Sequence, residues 1–344
     1  MQYSSGRKDA LRQSDGPRTA SPTRPRVVAV VVTYNRQELL AEALAAVCSQ
    51  SHPPALVIVV DNASTDGTAD AVRTRFPAVR LAQLASNTGG AGGFAYGIAL
   101  ALAEAADLIW VMDDDTVPGP DALRALVQAR ASRPGQASPV LIASRVLWTD
   151  GREHPMNTPR VKPFASQAER DEATAAGCVP IRSASFVSVL MDAAQCRRRG
   201  LPQADYFLWN DDFEFTTRLI RGATGWLCPA SVVVHKTKTF GSTDADPGER
   251  FFYEVRNKIW MLRSSASLGP VERALYGGST LRRWARTFAG SHDRGMLRAS
   301  LVKGLAAGVR TRPRPTEEVL AAAGVTLPAE SGPAEPAASA PGAS

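Results

Sequence analysis

Cysteine is scarce: among 344 residues only Cys48, Cys178, Cys196 and Cys228 occur, and no two have CxxC spacing. That excludes a zinc cluster or a disulfide framework and leads us to expect buried thiols in a reducing compartment. Long apolar runs are missing as well. None reaches the roughly 20 residues of a membrane-spanning helix, and the N-terminus has no signal-peptide core, so a cytoplasmic protein is expected. The first βα turn reads TYNRQE, with neither the GxGxxG of a dinucleotide fold nor the GxxxxGK[ST] of a phosphate loop. Excess charge is modest, +7, and its arginines concentrate in 1–26 and 281–314. Basic ends of this kind suit an anionic surface better than a nucleic-acid groove, so no nucleic-acid partner is expected.

What remains is a globular composition, 44% hydrophobic, with a regular alternation of patterns. VVAVVVTY (27–34) is a β-branched run of the kind buried on both faces, and QELLAEALAAVCSQ (37–50) has helical apolar spacing. LVIVVDNAS (56–64), GTADAVRTRF (67–76), VRLAQLA (79–85), GGFAYGIALALAEA (92–105) and LIWVMD (108–113) continue as strand, helix, strand, helix, strand. Such an order predicts an α/β fold, an open and mainly parallel sheet flanked by helices. Residues 1–25 read as a basic tail, 26–265 as the α/β domain, 266–312 as a basic helical segment and 313–344 as a low-complexity tail.

Ligands of open α/β sheets bind beyond the carboxyl ends of the strands. There the sequence places Thr33, Tyr34, Asn35 and Arg36, then Asp61 and Asn62, then Asn87 with Gly89 and Gly90, and last Asp113, Asp114 and Asp115. Any one of these is an ordinary turn residue, and Ser64, Thr65 and Asp66 equally suit an Asx turn and helix cap. Four polar endings on one edge point instead to a binding site. Three adjacent carboxylates repel unless neutralised. Two of them separated by one residue project to the same side of an extended chain, a suitable pair for Mg2+ or Mn2+ with phosphates completing the shell. The expected ligand is a nucleoside diphosphate, with Asp61 accepting from a base N–H. NTGGAGGF (87–94) offers Gly89, Gly90, Gly92 and Gly93, read as glycines that admit close approach of a ligand.

The ordered set VVVTYNR, VVDNASTDGT, NTGGAGGF and WVMDDDT resembles the inverting family 2 glycosyltransferases of the GT-A fold. With WNDDFEFTTRLIRGATGWLCPASVVVHKT (209–237) it is similar to the actinobacterial cell-wall galactofuranosyltransferases of the shorter, initiating type. The resemblance implies a UDP-sugar donor, a polyprenyl-diphosphate-linked glycan acceptor, and Mn2+ or Mg2+ held by Asp113, Asp115 and His235. It makes Asp212 the base that deprotonates the acceptor hydroxyl, beside Trp209, Asp211 and Glu214. The base and ribose would be framed by Thr33, Tyr34 and Asp61, the sugar by Asn87 and the glycines. Val234 stands where the galactofuranosyl type would carry an aromatic residue.

Other readings stay open: a rhamnosyltransferase or other family 2 transferase of cell-surface polysaccharide, a sugar-nucleotide pyrophosphorylase, or a non-catalytic lipid-binding module. The second would open with a glycine-rich basic loop, which TYNRQE is not. Acids at the start of a helix, as in DDFE (211–214), also occur simply because they favour its dipole. Residues 270–315 mix Leu, Trp and Phe with arginines at helical spacing, which fits either packing on the domain or contact with the inner face of an anionic membrane.

Overall fold

A computed structural model describes residues 24–132, 137–238, 240 and 246–328. Most of the expected tails, 1–23 and 329–344, lie outside the described residues. In chain order the strands are β1 (Val27–Thr33), β2 (Leu56–Asp61), β3 (Arg80–Gln83), β4 (Leu108–Asp113), β5 (Thr116–Pro118), β6 (Leu141–Leu147), β7 (Arg160–Val161), β8 (Val179–Ser183), β9 (Val189–Asp192) and β10 (Gly225–His235). The helices are α1 (Gln37–Cys48), α2 (Thr68–Arg75), α3 (Gly89–Ala103), α4 (Ala122–Ala131), α5 (Gln167–Ala175), α6 (Ala193–Arg199), α7 (Asp211–Ile220), α8 (Phe251–Ser264), α9 (Pro270–Gly290), α10 (Arg294–Arg310) and α11 (Thr316–Ala322).

The strands form one sheet in the order β3-β2-β1-β4-β9-β6-β10-β8-β7, with β5 paired to β10. β3, β2, β1 and β4 run parallel, as their crossover helices require. β9 then inserts antiparallel between β4 and β6. Period-two alternation divides the core. Val28, Val30 and Val32 face α3 on one side, while Val27, Ala29 and Val31 pack with Leu40, Leu44 and Leu123 on the other. Every residue of β1 is buried, which explains its unbroken apolar run.

Three expectations need correction. The long helix starts at Gly89 rather than 92, so the glycines lie within its first turns. The tail expected from 313 contains α11, whose Leu320 is fully buried in the main core with Val325; the apolar residues among its alanines anchor it there. Cys48 is exposed, while the other three thiols are buried.

The sheet also dictates glycine where α3 lies close to it. A Cβ on Gly97 would lie 2.4 Å from Val30 Cγ1 and 3.1 Å from Val60 Cγ2, and both valines are fully buried. Alanine gains about 1 kcal/mol in helix propensity, but overpacking costs about 1–3 kcal/mol. We expect Gly97→Ala to lower the melting temperature, by about 2–4 °C per kcal/mol of net loss. A circular dichroism melt at or above wild type would contradict that.

Beyond the sheet, α8 and α10 pack closely because Gly304 and Gly308 abut Val255 and Ile259. α9 keeps an apolar stripe exposed, with Val271 at 71%, Leu275 at 54% and Leu281 at 65%. Arg282 and Arg286 are exposed beside it. Among the described residues no helix is long and apolar enough to cross a membrane.

Candidate functional site

Strand register sets the site. Thr33 pairs with Asp61, and Val32 with Asp113, so β1, β2 and β4 end flush on one edge. The chain leaves β4 through the acid triplet and turns back as β5, which pairs antiparallel with the end of β10, Thr116 opposite His235. That turn brings Asp115 Oδ1 to 2.8 Å from His235 Nε2. Ligand atoms of Asp113, Asp115 and His235 all lie within 4.8 Å of one another, an O,O,N set that suits a divalent cation such as Mn2+. Asn157 Nδ2 donates to Ser185 Oγ at 3.1 Å, which leaves its Oδ1 to accept from His235 Nδ1 at 2.9 Å. His235 Nε2 donates to Asp115 here, and the Nδ1 bond to Asn157 fixes the ring so that Nε2 would offer its lone pair to a bound cation.

The triplet's charge is met from within the chain as well. Arg36 lies 3.2 Å from Asp114 and 2.7 Å from Asp115. Asp114 turns inward, accepting from Thr33 Oγ1 at 2.8 Å and the Tyr34 amide at 3.4 Å; burial still pushes it up to about 6. Burial and the flanking carboxylates of Asp115 and Asp114 raise Asp113 well above the usual range. Burial acts on Asp115 too, but the hydrogen bonds and charges of His235 and Arg36 outweigh it and hold Asp115 low.

The second wall is α7 and the loop before it. Phe207, Trp209 and Asn210 have φ of 63°, 66° and 66°, a left-handed backbone that is costly for side-chain-bearing residues. Asn257 on α8 holds this loop: its Nδ2 donates to the carbonyls of Tyr206, Leu208 and Trp209, each at 2.9 Å. The loop delivers Asp211 and Asp212 to the first turn of α7, whose dipole favours them. Burial, with help from Asp212, pushes Asp211 up to about 8, so it carries its proton at neutral pH. Burial also raises Asp212, against hydrogen bonding from the Phe213 amide and the charges of Lys258 and Arg160. Both aspartates line one cavity of about 550 Å³ with Asp113, Asp115 and His235.

Other residues singled out by sequence are distributed unevenly. Arg36, Gly90 and Trp209 line the cavity. Gly92 and Gly93 are buried against Thr88 and Val32, where any Cβ would collide, and so serve helix packing rather than ligand approach. Gly89, at φ +70°, lies under the Phe207 carbonyl. Asn62 and Asn87 bind the backbone at Thr88 and Gly89. Asp61 is fully buried and accepts from the Ser64 amide and Gln83. Tyr34 is 45% exposed, and Asn35 exchanges hydrogen bonds with Ser64 and Thr65. Glu214, expected at the acceptor, is buried in an ion pair with Arg218 at 2.8 Å and accepts from Ser265; its i,i+4 arginine gave that away. Sequence reasoning missed Asn157, Arg160, Lys258 and His154, whose buried ring is centred 5.1 Å from that of His235.

The sequence model of glycosyl transferase family 2 matches residues 28–190. Galactofuranosyltransferase GlfT1 of Mycobacterium tuberculosis is 30% identical over 253 residues, 69% of this chain and 82% of that protein. The Mycolicibacterium smegmatis GlfT1 is 32% identical over 198 residues, 57% of this chain and only 65% of that protein. The N-acetylglucosaminyl-diphospho-decaprenol L-rhamnosyltransferase of M. tuberculosis is 27% identical, covering 74% of this chain and 90% of that protein. Among solved structures, Staphylococcus aureus TarS 1–349, crystallised with UDP-GlcNAc, shares the fold with a TM-score of 0.56 and 17% identity, over 86% of this chain and 82% of that one. Motifs, sheet and relatives agree, and the chain belongs to glycosyl transferase family 2.

Proposed function

We propose that the chain transfers a sugar, galactofuranose, from a UDP-linked donor to a polyprenyl-diphosphate-linked glycan, with inversion at the anomeric carbon. The observation that carries this reading is the meeting in one cavity of the Asp113, Asp115 and His235 set with the acids Asp211 and Asp212. Asp212 takes the proton of the acceptor hydroxyl as that oxygen bonds to C1 of the sugar; the C1–O bond to the diphosphate breaks, and UDP leaves with its electron pair. Burial raises Asp212, which strengthens it as a base. Burial, with help from Asp212, pushes Asp211 up to about 8, which favours its protonated form and leaves the base role to Asp212. Arg36 and the Gly90 backbone border the donor side of the cavity. A divalent cation, Mn2+ or Mg2+, held by Asp113, Asp115 and His235, would supply neutralising charge for the diphosphate.

The GlfT1 relatives favour galactofuranose, and the rhamnosyltransferase relative keeps rhamnose as the second reading. Mass spectrometry of products from a panel of UDP- and dTDP-sugars with Mn2+ and a lipid-linked acceptor separates the two. Nucleotide condensation instead of sugar transfer would mark a pyrophosphorylase, and no product from any donor would defeat the enzymatic reading.

An acceptor of this kind stays in the bilayer, and the exposed stripe of α9 with its arginines supports a seat on the inner, anionic membrane face. Replacing Leu275 and Leu281 by Glu is expected to cut sedimentation with phosphatidylglycerol vesicles about tenfold or more, through lost apolar burial and added like charge. Equal sedimentation would remove α9 from any membrane contact.

A further inference from the structure

Lys258 lies on α8 and lines the cavity, with its residue only 5% exposed. Among the described residues its ammonium forms no hydrogen bond and no ion pair. Its Nζ stands 4.8 Å from the centroid of the Phe213 ring, and the charges of Glu254 and Asp212 favour it from nearby. Arg160, from β7, lies over the same ring at 5.2 Å. Arg250 stands 5.5 Å over the Trp209 ring, again without a carboxylate among the described residues. Arg283 pairs with Glu254, which also accepts from Asn210 at 2.7 Å and Trp284 at 3.2 Å.

A buried ammonium stripped of water needs acceptors, and one aromatic face does not replace a hydration shell. Burial duly pushes Lys258 down to about 8, despite the favourable charges of Glu254 and Asp212. Lys258 is the buried member; Arg160 and Arg250 are exposed, and all three, held over ring faces, line the cavity that holds Asp212, a cationic wall that suits a ligand anion. The wall and the metal set line one cavity but differ in the acids they act on, and Lys258 and Arg160 bear on Asp212. Phe213, on which two of the cations converge, follows Asp212 directly in sequence, whereas the charges felt by Asp113 are those of Asp114, Asp115, Arg36 and Asp211.

We propose that Lys258, Arg160 and Arg250 form a second anion subsite, on the acceptor side of Asp212, that takes the diphosphate ester of the acceptor. The inference rests on the reading of Asp212 as the base, which makes this the acceptor side. Cations so near the base favour a short acceptor, whose diphosphate is carried close to the attacked hydroxyl, over the neutral end of a long glycan.

The test is equilibrium binding to the full-length chain in EDTA, which silences the divalent-cation route and requires no turnover, so it succeeds or fails independently of transfer activity. The probes are farnesyl diphosphate and inorganic pyrophosphate, with UDP plus Mn2+ as the donor control. Farnesyl diphosphate is expected to bind wild type, and Lys258→Met and Arg160→Gln are each expected to weaken it tenfold or more while UDP affinity in Mn2+ stays within about twofold. Lys258→Met should melt no lower than wild type, since an apolar side chain of similar length replaces an unpaired charge. Unchanged farnesyl diphosphate affinity in both variants overturns the proposal. So does a parallel loss of UDP affinity, which would give the cations to the donor. Binding of pyrophosphate without farnesyl diphosphate makes the source a free phosphate and removes the acceptor assignment. A marked fall in the melting temperature of Lys258→Met makes the ammonium structural, and overturns its part in the site.

Discussion

Turnover of Asp212→Asn is expected to fall by about two to four orders of magnitude, with donor affinity retained. Asparagine preserves the size of the side chain and can still accept from the Phe213 amide, which Asp212 Oδ1 meets at 2.6 Å. It cannot take a proton. If Asp212 merely served the start of α7, asparagine would be nearly as good there and activity would persist. The measurement is kcat for sugar transfer alongside the dissociation constant for the UDP-sugar. A kcat within a few-fold of wild type ends the assignment of Asp212 as base. A joint loss of kcat and donor binding would shift its role to the donor.

Asp115→Ala should weaken cation-dependent UDP binding on the order of a hundredfold, because it removes a carboxylate from the set and also the partner of His235 Nε2. Asp114→Asn is the matched control. Its carboxylate stands outside the set and is occupied by Thr33, Tyr34 and Arg36, so its cation-dependent binding should stay much closer to wild type. Titration calorimetry with UDP, with and without Mn2+, reads both. Equal affinity of Asp115→Ala and wild type in Mn2+ would refute the cation site, and equal losses in the two variants would reassign it to the triplet as a whole.

The strands were legible because β1, β2 and β4 are buried on both faces and so read as unbroken β-branched runs. Their polar endings were legible for the same reason, since a residue that breaks such a run marks the sheet edge. His235 and Asp212 stood out through the resemblance of the motifs around them. Asn157, Arg160 and Lys258 did not, because each reaches the cavity from a segment with no pattern of its own: a loop, a two-residue strand and a C-terminal helix. What brings Asn157 to His235, 78 positions away, is the path of the chain around β8 and β10. The glycines misled in an instructive way. A glycine that yields to a ligand and one that yields to a valine of the neighbouring strand look alike until the strand is in place, and Gly93 is of the second kind.

The distribution of thiols gives the wild-type chain a built-in attachment point. Cys48 alone is exposed, and it ends α1, the helix that begins beside Arg36 and runs back along the sheet away from the cleft. A maleimide fluorophore would therefore mark one position, remote from donor and acceptor, without any engineered cysteine. Partial burial pushes the Cys48 thiol up, so conjugation favours mildly alkaline buffer. Anisotropy of that single label would report in real time whether the chain docks on vesicles, and its lifetime would report ligand entry only by relay through the sheet.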